Sequence, residues 1–160
     1  MAAPITYALR FRGQAVRLES GRLWTEGRAQ GGLFVPATGP DGAASRFASF
    51  GGGEALCRRE LEVEEDGSFV ATGEIDFGAG DSLTLRATGE IVSTPLPALR
   101  RGTAICEVTG GRGRLAGAMG SIASQLLLAD SGELTDHQLG LLFVPAPTPH
   151  VNPRTKEVLP

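Results

Sequence analysis

The stretch TGGRGRLAGAMG (109–120) contains five glycines in twelve residues, with two arginines between them. It lacks the G-x-x-x-x-G-K-[S/T] spacing of a phosphate-binding loop. The next segment, SIASQLLLA (121–129), has a strand pattern, so no helix N-terminus is predicted there to face an anion. The glycines therefore predict a tight turn between two strands, in which Arg112 and Arg114 are solvated.

Strand patterns continue on both sides of this turn. From residue 54 onward, apolar and polar residues alternate with a period of two, and turn sequences such as Asp66-Gly67 interrupt them at short intervals. In DSLTLRATGEIV (81–92) the apolar residues share one face and the polar residues the other. Earlier strands are predicted near 5–12, 21–26 and 31–36, followed by a loop over 37–45.

The count of eight or nine strands, several of them long, predicts an all-β fold. Long antiparallel strands with one polar face favour a closed eight-stranded barrel, because closure removes exposed sheet edges. A β-sandwich is the alternative. The 160 residues fit one domain, predicted as a barrel over 1–146 with an extended proline-rich tail over 147–160.

Charge and composition argue against several function classes. The net charge is −3, with 15 basic and 18 acidic side chains spread along the chain, so no nucleic-acid footprint is visible. The start, MAAPITYALRFRG, has no apolar signal region, and no stretch of about 18 apolar residues follows, which predicts a cytoplasmic protein without membrane contact. Cys57 and Cys106 are too few and too far apart for a metal site, and are predicted to be reduced and buried.

The run EVTGGRGRLAGAMGSI (107–122) resembles the V-T-G-G-x-G-x-F-x-G-x-x-G turn and strand of the allene oxide cyclase-like barrels, to which plant dirigent proteins are similar in fold. Leu115 stands where that family usually has phenylalanine. The resemblance covers roughly residues 68–144. The N-terminal third matches no motif of the family's catalytic groups, so the resemblance assigns no catalytic residue.

The resemblance implies an eight-stranded barrel with an apolar cavity, no metal, no redox cofactor, and assembly as a homodimer or homotrimer. It implies a cofactor-free cyclase or isomerase of natural-product biosynthesis, which directs ring closure or rearrangement of a polyketide- or fatty-acid-derived molecule. A non-catalytic carrier and a structural module are the alternatives. A cavity with polar side chains favours the enzyme, an apolar cavity favours the carrier, and a filled interior favours the structural module.

Charged residues in apolar rows are the candidates for catalysis. Arg59 lies in the row of Cys57 and Leu61, where it either pairs with a carboxylate of the wall or binds a ligand oxygen. His137 shares its row with Leu139 and with other apolar residues that are predicted to face inward, so it is either a general acid–base group or a structural histidine. Asp136 is then predicted to face outward.

Glu107 is a third catalytic candidate, with an ambiguous orientation. If its row faces inward, it is a buried carboxylate suited to proton transfer, but the row of Cys106 is the favoured core row. Tyr7, Trp24 and Phe143 are predicted substrate contacts, Tyr7 through its hydroxyl and Trp24 as a stacking wall, although packing alone also accounts for Tyr7 and Trp24.

Overall fold

The computed structural model describes residues 3–31, 33–38, 44–50 and 53–145, so the predicted tail over 147–160 lies outside the described residues. The described chain forms ten β-strands and a single 3-10 turn, and none of its helical segments is long and apolar enough to cross a membrane. The strands are β1 (Ala3–Arg17), β2 (Leu23–Gln30), β3 (Leu33–Thr38), β4 (Ala44–Phe50), β5 (Glu54–Val63), β6 (Ser68–Asp76), β7 (Ser82–Ser93), β8 (Leu99–Arg112), β9 (Met119–Ala129) and β10 (Glu133–Val144).

Eight of these strands close into an antiparallel barrel. The hydrogen-bonded order is β10-β9-β8-β7-β6-β5-β2-β1, and β1 pairs again with β10 to complete the ring. The predicted closed barrel is therefore confirmed and the sandwich alternative is wrong, while the allene oxide cyclase-like subtype stays a prediction. The hairpin of β3 and β4 lies outside the ring and joins β1 where Thr6 is opposite Phe34.

The loop predicted over 37–45 is wrong at both ends, and its middle, residues 39–43, lies outside the described residues. Residues 37–38 belong to β3 and residues 44–45 to β4, a strand that the sequence pattern does not predict. The small residues of ASRFASF give no clear apolar alternation, so pairing with β3 rather than local pattern defines this strand.

Strand β7 shows how the barrel wall is built. Leu83, Leu85 and Ala87 are buried inside the ring, whereas Arg86 and Thr88 in the alternate row are exposed. This arrangement confirms the predicted faces of 81–92 and follows from the two-residue period of a strand. Aliphatic and aromatic side chains from all eight strands fill most of the interior in the same way.

The glycine-rich stretch connects β8 to β9 and is anchored by Asp81. The backbone N–H, Nε and Nη2 of Arg114 donate to the Asp81 carboxylate at 2.8, 3.0 and 2.6 Å. These hydrogen bonds hold the pKa of Asp81 below its ordinary value, against the opposing effect of its burial. Arg112 and Arg114 are both exposed, as predicted, but the charged head of Arg114 also compensates the buried carboxylate of Asp81.

Gly113 allows this connection to form. Its φ is +65°, and a Cβ at this position would overlap the Asp81 carboxylate and the Gly80 carbonyl. A positive φ and a close backbone approach both require glycine. The stretch is thus a turn, as the sequence predicts, and it also ties the β8–β9 connection to the turn that precedes β7.

Candidate functional site

A layer of polar side chains crosses the interior of the barrel. Its members are fully buried and are hereafter called the polar layer: Tyr7, Arg59, Ser124, Asp136 and Gln138. They come from β1, β5, β9 and β10, so the layer assembles only when the ring closes.

Arg59 spans the barrel from β5 to the facing wall. Its Nη2 donates to Oδ2 of Asp136 at 2.5 Å and its Nη1 donates to Oγ of Ser124 at 3.2 Å. Burial is the largest single effect and disfavours the charged guanidinium, but the carboxylate of Asp136 and the smaller effects of Cys57 and Cys106 together outweigh it, so the pKa of Arg59 is raised. Arg59 therefore carries a permanent positive charge in the centre of the barrel.

One donor of this guanidinium is unused. Nε of Arg59 is buried and has no hydrogen-bond partner among the described residues. The thiol of Cys106 lies close to the guanidinium and helps to raise the pKa of Arg59. Its sulfur nevertheless makes no hydrogen bond of acceptable geometry with Nε. A buried N–H without a partner costs about 1–3 kcal/mol, so this donor is a position where an additional acceptor oxygen would be stabilising.

Asp136 is fully engaged on the opposite wall. Besides Arg59, it accepts from Oγ of Ser124 at 2.6 Å and from Nε2 of Gln138 at 2.7 Å. Three short hydrogen bonds to one buried carboxylate hold it in place. Asp136 is therefore a positioning group for Arg59 rather than a free base.

Tyr7 and Gln138 extend the layer to β1. The Tyr7 hydroxyl donates to Oε1 of Gln138 at 2.9 Å, and Nε2 of Gln138 also approaches Sγ of Cys57 at 3.6 Å. Burial is the main reason that the pKa of Tyr7 is raised well above its ordinary value. Tyr7 therefore remains a neutral hydrogen-bond donor at physiological pH.

The two cysteines beside the layer are unreactive in this environment. Burial raises the pKa of Cys57 to about 11, more than the Arg59 charge lowers it, and burial likewise raises the pKa of Cys106. Both are free thiols, as predicted. Because the thiolate is the nucleophilic form, neither sulfur is suited to covalent catalysis at neutral pH.

Apolar packing fills most of the space around the polar layer. The enclosed cavity found beside it among the described residues has a volume of about 10 Å³, and it lies between Thr25 of β2 and the leucines at one end of the barrel. This volume is at the lower limit for a single water molecule. A substrate-sized ligand therefore needs a rearranged interior.

Some of the predicted site residues face the interior of the barrel, and the others lie on its outer surface. Arg59 and Tyr7 face inward and meet in the polar layer. Glu107 is exposed on the outer wall, and the favoured core row of Cys106 is confirmed. Trp24 is half-buried on the outer wall, in an open depression of about 500 Å³ that also contains Arg58, Glu60 and Arg86.

The predicted orientation of β10 is wrong. His137 and Phe143 are exposed on the outer wall, whereas Asp136 and Gln138 face inward. His137 borders a shallow outer depression of about 450 Å³. The more apolar row of this strand covers the outside, so hydrophobicity alone selects the wrong face.

Local sequence patterns do not identify three inward-facing polar residues, Ser124, Asp136 and Gln138. The register between neighbouring strands does identify them. Directly opposite residues of neighbouring strands point to the same side of a sheet. Ala87 of β7 is opposite Cys106, and Cys106 is opposite Ile122 of β9. Ile122 is in turn opposite Gly140 of β10, which places the even-numbered residues of β10 inside.

No group of three or more potential metal ligands occurs within the described parts of the chain. Comparisons with family models, with curated proteins and with solved structures give no match to this chain. The polar layer and its geometry are thus the grounds on which a function is proposed.

Proposed function

We propose that the barrel binds a hydrophobic small molecule, derived from a polyketide or fatty acid, with one of its oxygens on Nε of Arg59, and directs its cyclisation or isomerisation without a cofactor. The observation that carries the proposal is the unpartnered, buried Nε–H of Arg59. A charged donor in a dry interior favours a carbonyl, enolate or carboxylate oxygen.

The energetic cost of the polar layer supports a role beyond packing. Replacing a buried ion pair by apolar side chains of similar volume is often neutral or stabilising by about 1–4 kcal/mol. An apolar layer at this level would therefore satisfy the fold at least as well as Arg59 and Asp136. Departures from the most stable arrangement are expected at functional sites.

Each member of the layer has a chemical role in this proposal. Nε of Arg59 donates to the substrate oxygen and stabilises negative charge that develops on it during ring closure. Asp136, with Ser124 and Gln138, fixes the guanidinium so that Nε keeps its direction. The neutral hydroxyl of Tyr7 donates to Gln138 and so helps to fix the orientation of its amide. The apolar remainder of the interior holds the substrate chain in a reactive conformation.

Substrate binding on this proposal enlarges the small cavity next to the layer. That cavity adjoins Thr25, whose hydroxyl donates to the backbone carbonyl of Arg59 at 3.3 Å. The side chains that must move, such as Leu23 and Leu61, belong to one end of the barrel. Binding then follows an induced change, as in enzymes whose sites assemble around the substrate.

A thermal-shift experiment with decanoate as the probe tests this proposal. Decanoate combines an anionic oxygen with a flexible apolar chain, and 1-decanol is the matched probe without the charge. We expect decanoate to raise the melting temperature of the wild type more than 1-decanol does, and to leave an Arg59→Met/Asp136→Leu double variant unchanged. Equal shifts in both proteins, or no shift in either, would contradict the proposal.

The filled interior favours a second candidate function, a structural or assembly module that acts through its outer wall. Exposed apolar side chains cover neighbouring strands there: Ile105, Met119, Leu139, Leu141 and Phe143. Such a patch is typical of an interaction surface. Absence of any decanoate effect, together with self-association that is lost on Leu139→Asp substitution, would favour this candidate.

A further inference from the structure

Strand β3 continues β2 along β1, and β4 pairs with the other side of β3. Arg12 of β1 is opposite Arg28 of β2, and Thr6 of β1 is opposite Phe34 of β3, so the register along β1 is unchanged across the break. Strands β2 and β3 thus pair with the same side of β1 in one register. We call the part outside the ring, residues 33–38 and 44–50, the arm.

Glycines mark the point where the arm leaves the barrel. The sequence has GG at 31–32 and GGG at 51–53. The backbone N–H of Gly31 donates to the carbonyl of Gly53 at 2.8 Å, so the two strands remain joined at this junction. Gln30 and Glu54 are directly opposite each other immediately before it, as the last pair inside the ring.

The arm ends in an open sheet edge. In the described sheet β3 lies between β1 and β4, every strand of the ring is paired on both sides, and β4 is paired on one side alone. The outer edge of β4 therefore presents backbone donors and acceptors for another strand. Its sequence, ASRFASF, contains one charged residue and no proline, so it lacks the usual protection against edge pairing.

The composition of β4 fits a second copy of itself. Two β4 strands pairing antiparallel about a twofold axis present the same surface to each other. With Phe47 opposite Phe47 of the second copy, Arg46 is opposite Ala48 and Ser45 is opposite Ser49, so no like charges meet. An aromatic pair at the axis and small residues beside it favour this register.

We propose that two copies of this chain associate through their arms, β4 pairing with β4 to give a continuous sheet between two barrels. The added strand pairs with the open edge of β4 and removes its unpaired backbone groups from water. This inference is independent of the proposed function, because the arm contains none of the residues of the polar layer.

Light scattering coupled to size-exclusion chromatography tests the proposal with an arm deletion. Replacing residues 31–53 by Asn-Gly joins Gln30 to Glu54 with a turn suited to a two-residue hairpin. We expect the wild type to be dimeric at high concentration and the deletion variant to be a monomer with the same circular dichroism spectrum. A monomeric wild type would overturn the inference, as would a deletion variant that still dimerises or that loses the barrel spectrum.

A pair of point variants tests the edge itself. Phe47→Glu places like charges opposite each other at the proposed axis, whereas Pro36→Glu changes the residue opposite Phe47 on β3, one strand away from the edge. We expect Phe47→Glu to weaken dimerisation about tenfold or more, and Pro36→Glu to weaken it much less. Equal effects, or no effect of Phe47→Glu, would overturn pairing through β4.

Discussion

Strands β7 and β10 belong to the same ring but have opposite distributions of polar residues. In β7 the apolar row of Leu83 and Leu85 faces inward and the polar row faces water. In β10 Asp136 and Gln138 face inward, whereas Leu139 is 65% exposed on the outer wall. Strand β7 follows the rule that apolar side chains are buried, and β10 contradicts it on both faces.

The difference locates the polar layer. An inward polar row is stable only where partners from other strands satisfy it, and Arg59 and Tyr7 supply those partners to β10. The inner face of β7 contacts apolar neighbours and needs no such partners. Substitutions should therefore lower the free energy of unfolding most where they leave a buried charge of the polar layer without its partner.

The largest effect is expected for Asp136→Ala. This change leaves the Arg59 guanidinium buried without its carboxylate, which typically costs about 3–5 kcal/mol of unfolding free energy. Urea denaturation measures the loss. The Arg59→Met/Asp136→Leu double variant is the control and should lose less stability than Asp136→Ala, because it leaves no buried charge without its partner. A loss below about 1 kcal/mol for Asp136→Ala would mean that the pair is not held as described.

A smaller effect is expected for Gln138→Leu. The leucine removes the acceptor of the Tyr7 hydroxyl and one donor to Asp136. Loss of a buried hydrogen-bond partner costs about 1–3 kcal/mol. The additional substitution Tyr7→Phe should recover part of this loss, since it removes the orphaned hydroxyl. No recovery in the double variant would show that the Tyr7–Gln138 hydrogen bond contributes little.

Asp81 directly precedes β7 and provides the corresponding test beside the strand whose apolar row faces inward. Asp81→Asn weakens its hydrogen bonds with Arg114, and we expect a loss of about 1–2 kcal/mol at neutral pH, since the Arg114 side chain is half exposed. The folded-state pKa of Asp81 lies below its ordinary value of 3.8. The contribution is therefore present above that value and is lost as the pH falls through the folded-state pKa.

Chemical denaturation of the Asp81→Asn variant and the wild type over a range of pH checks this prediction. The difference in unfolding free energy between the two proteins should be constant near neutrality and should shrink in acid below about pH 4. A difference that is independent of pH would exclude the ionised carboxylate as its cause.

The smallest effect is expected for Leu139→Gln on the outer wall of β10. This residue is adjacent to Gln138 in sequence, but its side chain is largely exposed, and substitutions at such positions usually change stability by less than about 0.5 kcal/mol. Thermal unfolding of the monomeric protein measures it. A loss as large as that of Gln138→Leu would mean that the outer face of β10 is covered.

Local pattern predicts the barrel well, because its strands have a two-residue apolar period or a turn sequence beside them. It also predicts that Arg59 faces inward with Cys57. It fails for β10, where His137 is chosen over Asp136 because the outer row is the more apolar one. That choice depends on register through β8 and β9, which is a property of the closed ring rather than of one strand.

The arm is the other feature that local pattern does not predict. Strand β4 has small residues at most positions and is defined by its pairing with β3. The glycine-rich sequences on either side of β4 are typical of loops. The continuity of β3 with β2 becomes visible only from the register of both strands against β1.

The most direct test of ligand binding by Arg59 follows the NMR signal of its Nε–H during titration with decanoate. A buried Nε–H should exchange slowly with water and give a separate ¹H–¹⁵N correlation, identified by its loss in the Arg59→Met/Asp136→Leu variant. We predict that this signal shifts as decanoate is added, because the oxygen of the probe becomes the acceptor of this donor. A signal that stays unchanged while decanoate saturates the protein would contradict the assignment of Arg59 as the group that binds substrate.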